Sequence, residues 1–306
     1  MSARIAILTP DPDGALGGAR WPSVLARLVA PLEAAGMYVE CPGWTCAGDL
    51  TRFDLVLPLL VWGYHREGDW HSTVERWARD GVRLGTPSDV LHWNADKSYL
   101  ARLAEAGAAT VPTRLVERVD EAAMNQAAEA FGTDQLIVKP RVSASAFQTI
   151  RWSPGTPLDG APDRAAMIQP YLPDIERGGE LSLIYLAGAF SHAIAKRPRA
   201  GDFRVQPEYD SLIAPRAPLP DERTAADRAL AAAGADLLYA RVDLVRDCAG
   251  TPLLMELELV EPDLYLEYDP GAPDRFASAV AAAAHRDPDE RNRVARGGVL
   301  DPQQSE

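Results

Sequence analysis

The sequence predicts an α/β unit followed by α+β units, and three observations carry that expectation. A strand from Arg4 to Thr9 runs into a glycine-bearing loop and then a helix from about Pro22 to Ala35, the opening of many α/β domains. Two hairpin patterns follow later in the chain. ELSLIYLAG and AFSHAIAKRP join at Gly188, while RVDLV at 241–245 returns as LLMELEL at 253–259 through a turn with Asp247, Gly250 and Pro252. Finally, the longest strongly apolar run, LVLPLLVW at 55–62, is too short to span a bilayer and reads as a buried strand.

The loop after the first strand carries Gly14, Gly17 and Gly18, which do not form the GxGxxG pattern of dinucleotide sites, so a plain turn is expected there. A strand over 53–61, a helix over 69–80 and a short strand from Val82 to Gly85 complete a first unit, 1–90. Asn94 or Asp96 is the expected cap of a helix with Lys97 in its first turn, a stripe of Leu100, Leu103 and Ala104, and an end at Gly107. VPTRLVE, a helix from Asp120 to Phe131, the strand QLIVKP at 135–140, a small-residue loop and the strand AFQTIRW make a second unit, 91–178. The third, 179–285, holds both hairpins and a helix over 221–234. Residues 286–306, rich in charge, Gly and Pro, are expected to fray.

The 306 residues carry 31 Lys and Arg against 44 Asp and Glu, a formal charge of −13. Nucleic-acid affinity comes mainly from clustered Lys and Arg, so the balance argues against such a partner and for small-molecule chemistry. Cys41, Cys46 and Cys248 are too sparse for a disulfide framework, and Cys41/Cys46 lacks the second half of a zinc site. MSARIAILTPD lacks the core and cleavage site of a signal peptide, so a cytoplasmic protein without a membrane partner is expected.

The second hairpin is the most informative segment. Residues two apart in a strand share a face, so Glu256 and Glu258 point one way and Met255, Leu257 and Leu259 the other. Folding about the middle of the turn sets Asp243 opposite Glu256 and Arg241 opposite Glu258 on that polar face, and a one-residue slip would turn Asp243 away. Like charges facing each other repel, so something positive must sit among them. Arg241 and nearby bases are one answer. Three converging carboxylates favour another, a hard divalent cation. Mg2+ suits best, because it takes oxygen ligands and is commonly held by one or two carboxylates plus substrate phosphates. The hairpin thus predicts a nucleotide.

Other segments agree with a phosphate ligand. Lys139 follows Leu136, Ile137 and Val138, where an ammonium needs an anionic partner or must snorkel outward. The small side chains of RVSASA at 141–146, with Ser143 and Ser145, would let backbone N–H groups and hydroxyls approach phosphate oxygens, or form a simple hairpin tip. A helix N-terminus disfavours Lys97 unless an anion lies beside it. Lys196, Arg197, Arg199 and Arg204 gather around a GDF turn at 201–203, as a cationic rim or a solvated loop.

The order of these pieces resembles the ATP-grasp ligases, in particular the D-cycloserine synthetase and glutathione synthetase branches. The resemblance covers DKSYLARL at 96–103, LIVKP at 136–140, QPYLPDIERGGELSLI at 169–184, AKRPRAGDFRVQ at 195–206, and RVDLV with MELELVEP at 255–262. It implies an ATP-grasp fold with an N-terminal Rossmann-like pre-grasp domain. By the same resemblance Lys97 and Lys139 hold ATP phosphates, Gln169, Tyr171 and Leu172 lie in the linker that reads adenine, and Glu180 binds the ribose. Asp243, Glu256 and Glu258 then hold two Mg2+ ions, Arg204, Arg241 and Lys196 neutralise the transferring phosphoryl group, and Ser143 to Ala146 form the lid. Two departures stand out: the lid lacks the family's glycines, and the usual Glu-x-Asn is Glu256-Leu257-Glu258.

The activity implied is activation of an amino-acid-like carboxylate as an acyl phosphate for attack by an amine-type nucleophile, including ring closure within one molecule. A kinase-like phosphotransferase and a non-catalytic nucleotide-binding regulator are the alternatives. A homodimer is compatible with the resemblance. Trp62, Tyr64, Arg20 and Tyr265 are candidates for the substrate wall, and His65 and His71 are read as surface residues or substrate contacts.

Overall fold

In the computed structural model, which describes residues 2–11, 20–66, 69–199 and 201–286, the first strand is covered on both faces, so its apolar residues run without alternation. Strand β1 (Arg4–Ile7) leads through helix α1 (Trp21–Ala34) to β2 (Tyr38–Glu40), and pairs in parallel with β2 on one side and β3 (Leu55–Leu57) on the other. Ile5, Ile7, Leu55 and Leu57 pack on Val24, Leu28 and Leu32 of α1, while Ala6 and Val56 face Val74 and Trp77 of helix α2 (Trp70–Arg79). The expected strand over 53–61 stops at Leu57 because Pro58 has no N–H to give a neighbour. The segment at Val82 to Gly85 contributes one bridge, Val56 to Leu84. Gly14, Gly17, Gly18 and the tail beyond Arg286 lie outside the described residues.

Helix α3 (Ser88–Ala95) was not predicted, and Asn94 lies in its last turn rather than capping the next helix. That helix, α4 (Tyr99–Glu105), starts after Asp96, whose carboxylate accepts the Ser98 N–H at 2.8 Å. Lys97 therefore precedes the Ser98 cap and is not in the first turn, so the macrodipole of α4 does not by itself call for an anion beside it.

The second unit is an antiparallel sheet of β4 (Arg114–Val116), β5 (Leu136–Pro140), β6 (Ile150–Trp152) and β7 (Ala166–Pro170), in the order β4-β7-β5-β6. Helix α5 (Glu121–Phe131) lies between β4 and β5 in sequence; Asp120 caps it through the Ala123 N–H and Gly132, at φ 63°, ends it. A one-turn helix, α6 (Asp174–Arg177), follows β7.

The third sheet comprises β8 (Glu180–Leu186), β9 (Ala189–Arg197), β10 (Leu212–Pro215), β11 (Tyr239–Arg246) and β12 (Pro252–Glu258), antiparallel in the order β10-β9-β8-β11-β12. On its apolar face Leu181, Leu183, Val242 and Leu244 meet Ala226, Ala229 and Ala233 of helix α7 (Pro220–Ala233) and Leu100 and Leu103 of α4. The sequence missed helix α8 (Ala272–His285), whose Phe276 and Val280 return to the core of α1 and β1, so the third segment reaches back to the first. No helix among the described residues is long and apolar enough to cross a membrane.

Strand β12 is the edge of its sheet, yet its backbone is satisfied on the outer side. Leu254 exchanges backbone hydrogen bonds with Ala109 and Val111, and the Leu257 N–H is accepted by the Tyr99 hydroxyl at 2.9 Å. The Asn94 amide donates to Leu257 O and accepts from Leu259 N, both at 2.8 Å. Helices α3 and α4 thereby pin the acidic strand. Asn94→Leu strands two buried backbone groups and is expected to cost about 2–4 kcal/mol, read as a lower urea midpoint at unchanged slope.

Candidate active site

On the polar face of the third sheet, cross-strand partners put one charged row beside another. Asp243 pairs with Ser182 on one side and Glu256 on the other, while Arg241 pairs with Ile184 and Glu258. The expected register is the observed one. One feature differs: the ladder shifts between Asp243 and Leu244, where Leu254 and Glu256 face consecutive residues and Met255 is the extra residue of a β-bulge. Met255 was expected on the apolar face. The bulge turns it instead into the cavity, against the cluster of Val111, Tyr171, Ile175 and Val205.

Oxygens of Asp243, Glu256 and Glu258 lie within 4.8 Å of one another. In an octahedral ion with oxygens at about 2.1 Å, adjacent ligands lie about 3.0 Å apart and opposite ones about 4.2 Å, so this all-oxygen set has the right donors and would draw in by up to about 2 Å to hold Mg2+. Basic side chains interleave with the acids. Arg241 Nη2 donates to Asp243 at 2.9 Å and also to Glu258, and Lys97 Nζ lies 3.2 Å from Glu256. Lys196 bonds Glu180 and stands 3.6 Å from Asp243, and Ser182 donates its hydroxyl to Asp243.

These neighbours separate the carboxyl groups chemically. Burial pushes Asp243 up, but Arg241 and then Lys196 outweigh it and hold the group below its ordinary value. Burial likewise opposes ionisation of Glu256, and Lys97 with Lys139 overcomes it. For Glu258 burial wins over Arg241 and pushes the carboxyl up to about 8. Burial also lowers Lys139, with Glu256 offsetting part of the loss. In contrast, Asp243 and Glu180 overcome the burial of Lys196 and hold its ammonium above the ordinary lysine value.

All of the residues singled out by the resemblance line one cavity: Lys97, Lys139, Ser143, Ser145, Gln169, Tyr171, Leu172, Glu180, Lys196, Arg204, Arg241, Asp243, Glu256 and Glu258. At one end Ile137, Leu172, Ile175, Phe203, Val205 and Met255 make an apolar slot beside Tyr171. The Tyr171 N–H is already taken by Gln135 O at 2.8 Å, and one N–H of the Gln169 side-chain amide by Thr113 Oγ1 at 2.8 Å. Residues 143–146 of the loop line the cavity, and Ser145 and Ala146 sit at φ 50° and 54°, the region that favours glycine. Trp62, Tyr64, Arg20 and Tyr265 line the cavity too.

Some expectations need correction. Lys196 is buried within the sheet rather than part of a solvated rim, because β9 carries it inward opposite Glu180. Arg199 turns outward to Asp210, and Arg204 pairs with Asp202 and lies 3.7 Å over the Tyr209 ring. His71 stacks on His92, and His65 meets Phe147 and Arg66; neither lines the cavity. Sequence reasoning overlooked Ser182, Met255, Glu261 and Asp263. The alternation of β8 could have found Ser182, since it shares a face with Glu180.

No protein-family model matches the chain. It is 32% identical over 283 residues to the cycloserine biosynthesis protein DcsG of Streptomyces lavendulae, across 83% of this chain and 91% of that protein. The chain belongs to the ATP-grasp ligase superfamily. It is an ATP-dependent ligase that joins a carboxylate to an amine. The crystal structure of D-cycloserine synthetase DcsG superposes on this ATP-grasp chain with a TM-score of 0.80 at 28% identity, covering 92% of this chain and 99% of that one. D-alanine–D-alanine ligase from Bacillus anthracis shares the fold at TM-score 0.67 and 12% identity, over 97% and 100% of the two chains. The ATP-grasp ligase PsnB, solved with a minimal precursor, Mg and ADP, does so at 0.61 and 13%, over 92% and 98%. ATP and Mg2+ are typical of this superfamily.

Proposed function

We propose that this ligase phosphorylates the carboxylate of an amino-acid-like small molecule and that a nitrogen of the same molecule then attacks the acyl phosphate, closing a ring. The observation that carries the reading is the acidic triad on β11 and β12, interleaved with Lys97 and Arg241 and flanked by an apolar slot wide of the charges. The greater likeness to the D-cycloserine synthetase than to the D-alanine–D-alanine ligase supports ring closure.

In this reading the base lies in the slot between Ile137 and Met255, and the phosphates run over the triad toward Lys97, Lys139 and the Ser143–Ala146 loop. With one oxygen on Lys196, Glu180 offers its other to the ribose. Asp243, Glu256 and Glu258 would hold Mg2+, which when bound would offset phosphate charge. A substrate carboxylate oxygen forms a bond to the γ-phosphorus as the β–γ bridging bond breaks and ADP leaves. The nitrogen then bonds to the acyl carbon, loses a proton and expels phosphate. Arg241, Lys196 and Arg204 supply the positive field along that path, and no covalent bond to the protein is needed.

Hydroxylamine added with ATP, Mg2+ and a panel of amino acids and their ureido or hydroxylamine ethers is expected to trap a hydroxamate in step with ADP release. A stable phosphorylated product without hydroxamate would make the protein a phosphotransferase instead.

A further inference from the structure

The cavity has an end that the nucleotide does not occupy in this reading. Past Glu258 the chain continues through Leu259 and Val260 to Glu261, toward the first sheet, and at about 3.3 Å per residue Glu261 stands at most about 10 Å beyond the triad. It lines the same cavity as Trp62, Tyr64 and Asp263. Of the six acids that line the cavity, five have a cation: Asp263 has Arg20, Asp243 and Glu258 share Arg241, Glu256 has Lys97, and Glu180 has Lys196. Glu261 has no ion pair among the described residues, and its Oε2 is shut from solvent without a hydrogen-bond partner. Burial and the Glu258 charge push its carboxyl well above the ordinary value, and Lys97 and Arg241 offset only part of this.

A carboxyl group that lines a binding cavity and has a shielded, unbonded oxygen asks for a donor, best a cationic one. The bases nearest to it are engaged elsewhere, so the donor must come with a ligand. We propose that Glu261 receives the protonated amino group of the substrate and thereby selects amino acids over the matching carboxylic acids that lack it. The inference rests on the ligase reading above, and its geometry is simple: an α-amino acid carries its ammonium two bonds from the carboxylate to be phosphorylated. With the carboxylate at the phosphate end of the triad, an ammonium directed away from the phosphates enters the part of the cavity that Glu261 lines. Trp62 and Tyr64 then wall the side chain, and Arg20 stays on Asp263.

Calorimetric titration of the full chain loaded with Mg2+ and AMPPNP tests this, using L- and D-amino acids against their deamino counterparts, such as serine against 3-hydroxypropionate. Wild type is expected to prefer at least one amino acid over its deamino partner by about tenfold or more. In Glu261→Gln that ratio should fall about 10- to 100-fold toward one through weaker amino-acid binding, with the deamino acid unchanged and MgAMPPNP affinity within about threefold. Glu261→Asp should restore part of the ratio. Nucleotide binding in each variant reports that it is folded. The proposal is overturned if wild type shows no amine preference, or if the preference survives in Glu261→Gln. Failure of wild type to bind the nucleotide at all would instead remove the ligase reading itself.

Discussion

Glu256→Gln is expected to lower substrate-dependent ADP release about 10²- to 10³-fold while leaving the protein folded. The side chain is about a quarter exposed and, among the described residues, is ion-paired to Lys97, so the change removes charge without opening the core. Phosphoryl transfer relies on positioning and charge neutralisation, and loss of one well-placed electrostatic group commonly costs that much. A coupled assay at saturating ATP with increasing Mg2+ should show both a lower maximum and a higher Mg2+ requirement. Intact turnover would remove Glu256 from the metal site. Glu258 adds a pH signature. Its folded value of about 8 lies above the ordinary one, so its contribution to stability is full below the ordinary carboxyl range and is lost as pH rises through about 8. Mg2+ needs the ionised form, so its affinity should strengthen over that interval with proton release.

Much of this site was legible because it lies on strands, where period-two alternation and a well-marked turn determine which side chains meet. Folding about the middle of the turn gives the pairing of Asp243 with Glu256 and of Arg241 with Glu258, although the pairs beside the turn run one residue out of that register and the bulge makes up the difference. Met255 was misplaced because a bulge adds a residue to the count and no local signal announces it. Lys97 and Asn94 were misread for a related reason: two short helices abut, and Asn94 satisfies strand backbone far away in sequence instead of capping. Helix α8, rich in alanine, carries a weak periodic signal, and its place against α1 depends on contacts more than 200 residues apart in sequence. Glu261 was invisible because its significance lies in the lack of a cation, which no single segment discloses.

Arg241→Met is expected to destabilise the protein by about 3–5 kcal/mol, because it leaves Asp243 and Glu258 without their shared cation. The guanidinium is buried, its Nη1 also reaches Asp263 O at 3.4 Å, and its ring neighbour is Tyr265 at 5.7 Å. Methionine fills similar volume, so the loss reports charge more than packing. Without Arg241 the Glu258 carboxyl loses what opposes its burial and rises further, and Asp243 shifts upward with Lys196 and Ser182 left to oppose its burial. Such groups weaken the fold as pH rises, so the deficit in urea denaturation should shrink on acidification from pH 8 toward 5. Mg2+ at millimolar concentration should restore part of the midpoint, since a bound cation replaces the missing charge. Arg199→Met, an exposed partner of Asp210, should leave the midpoint unmoved. Stability loss in Arg241→Met without recovery by either protons or Mg2+ would mean that Arg241 acts through packing, and that the acids beside it are not poised for a metal.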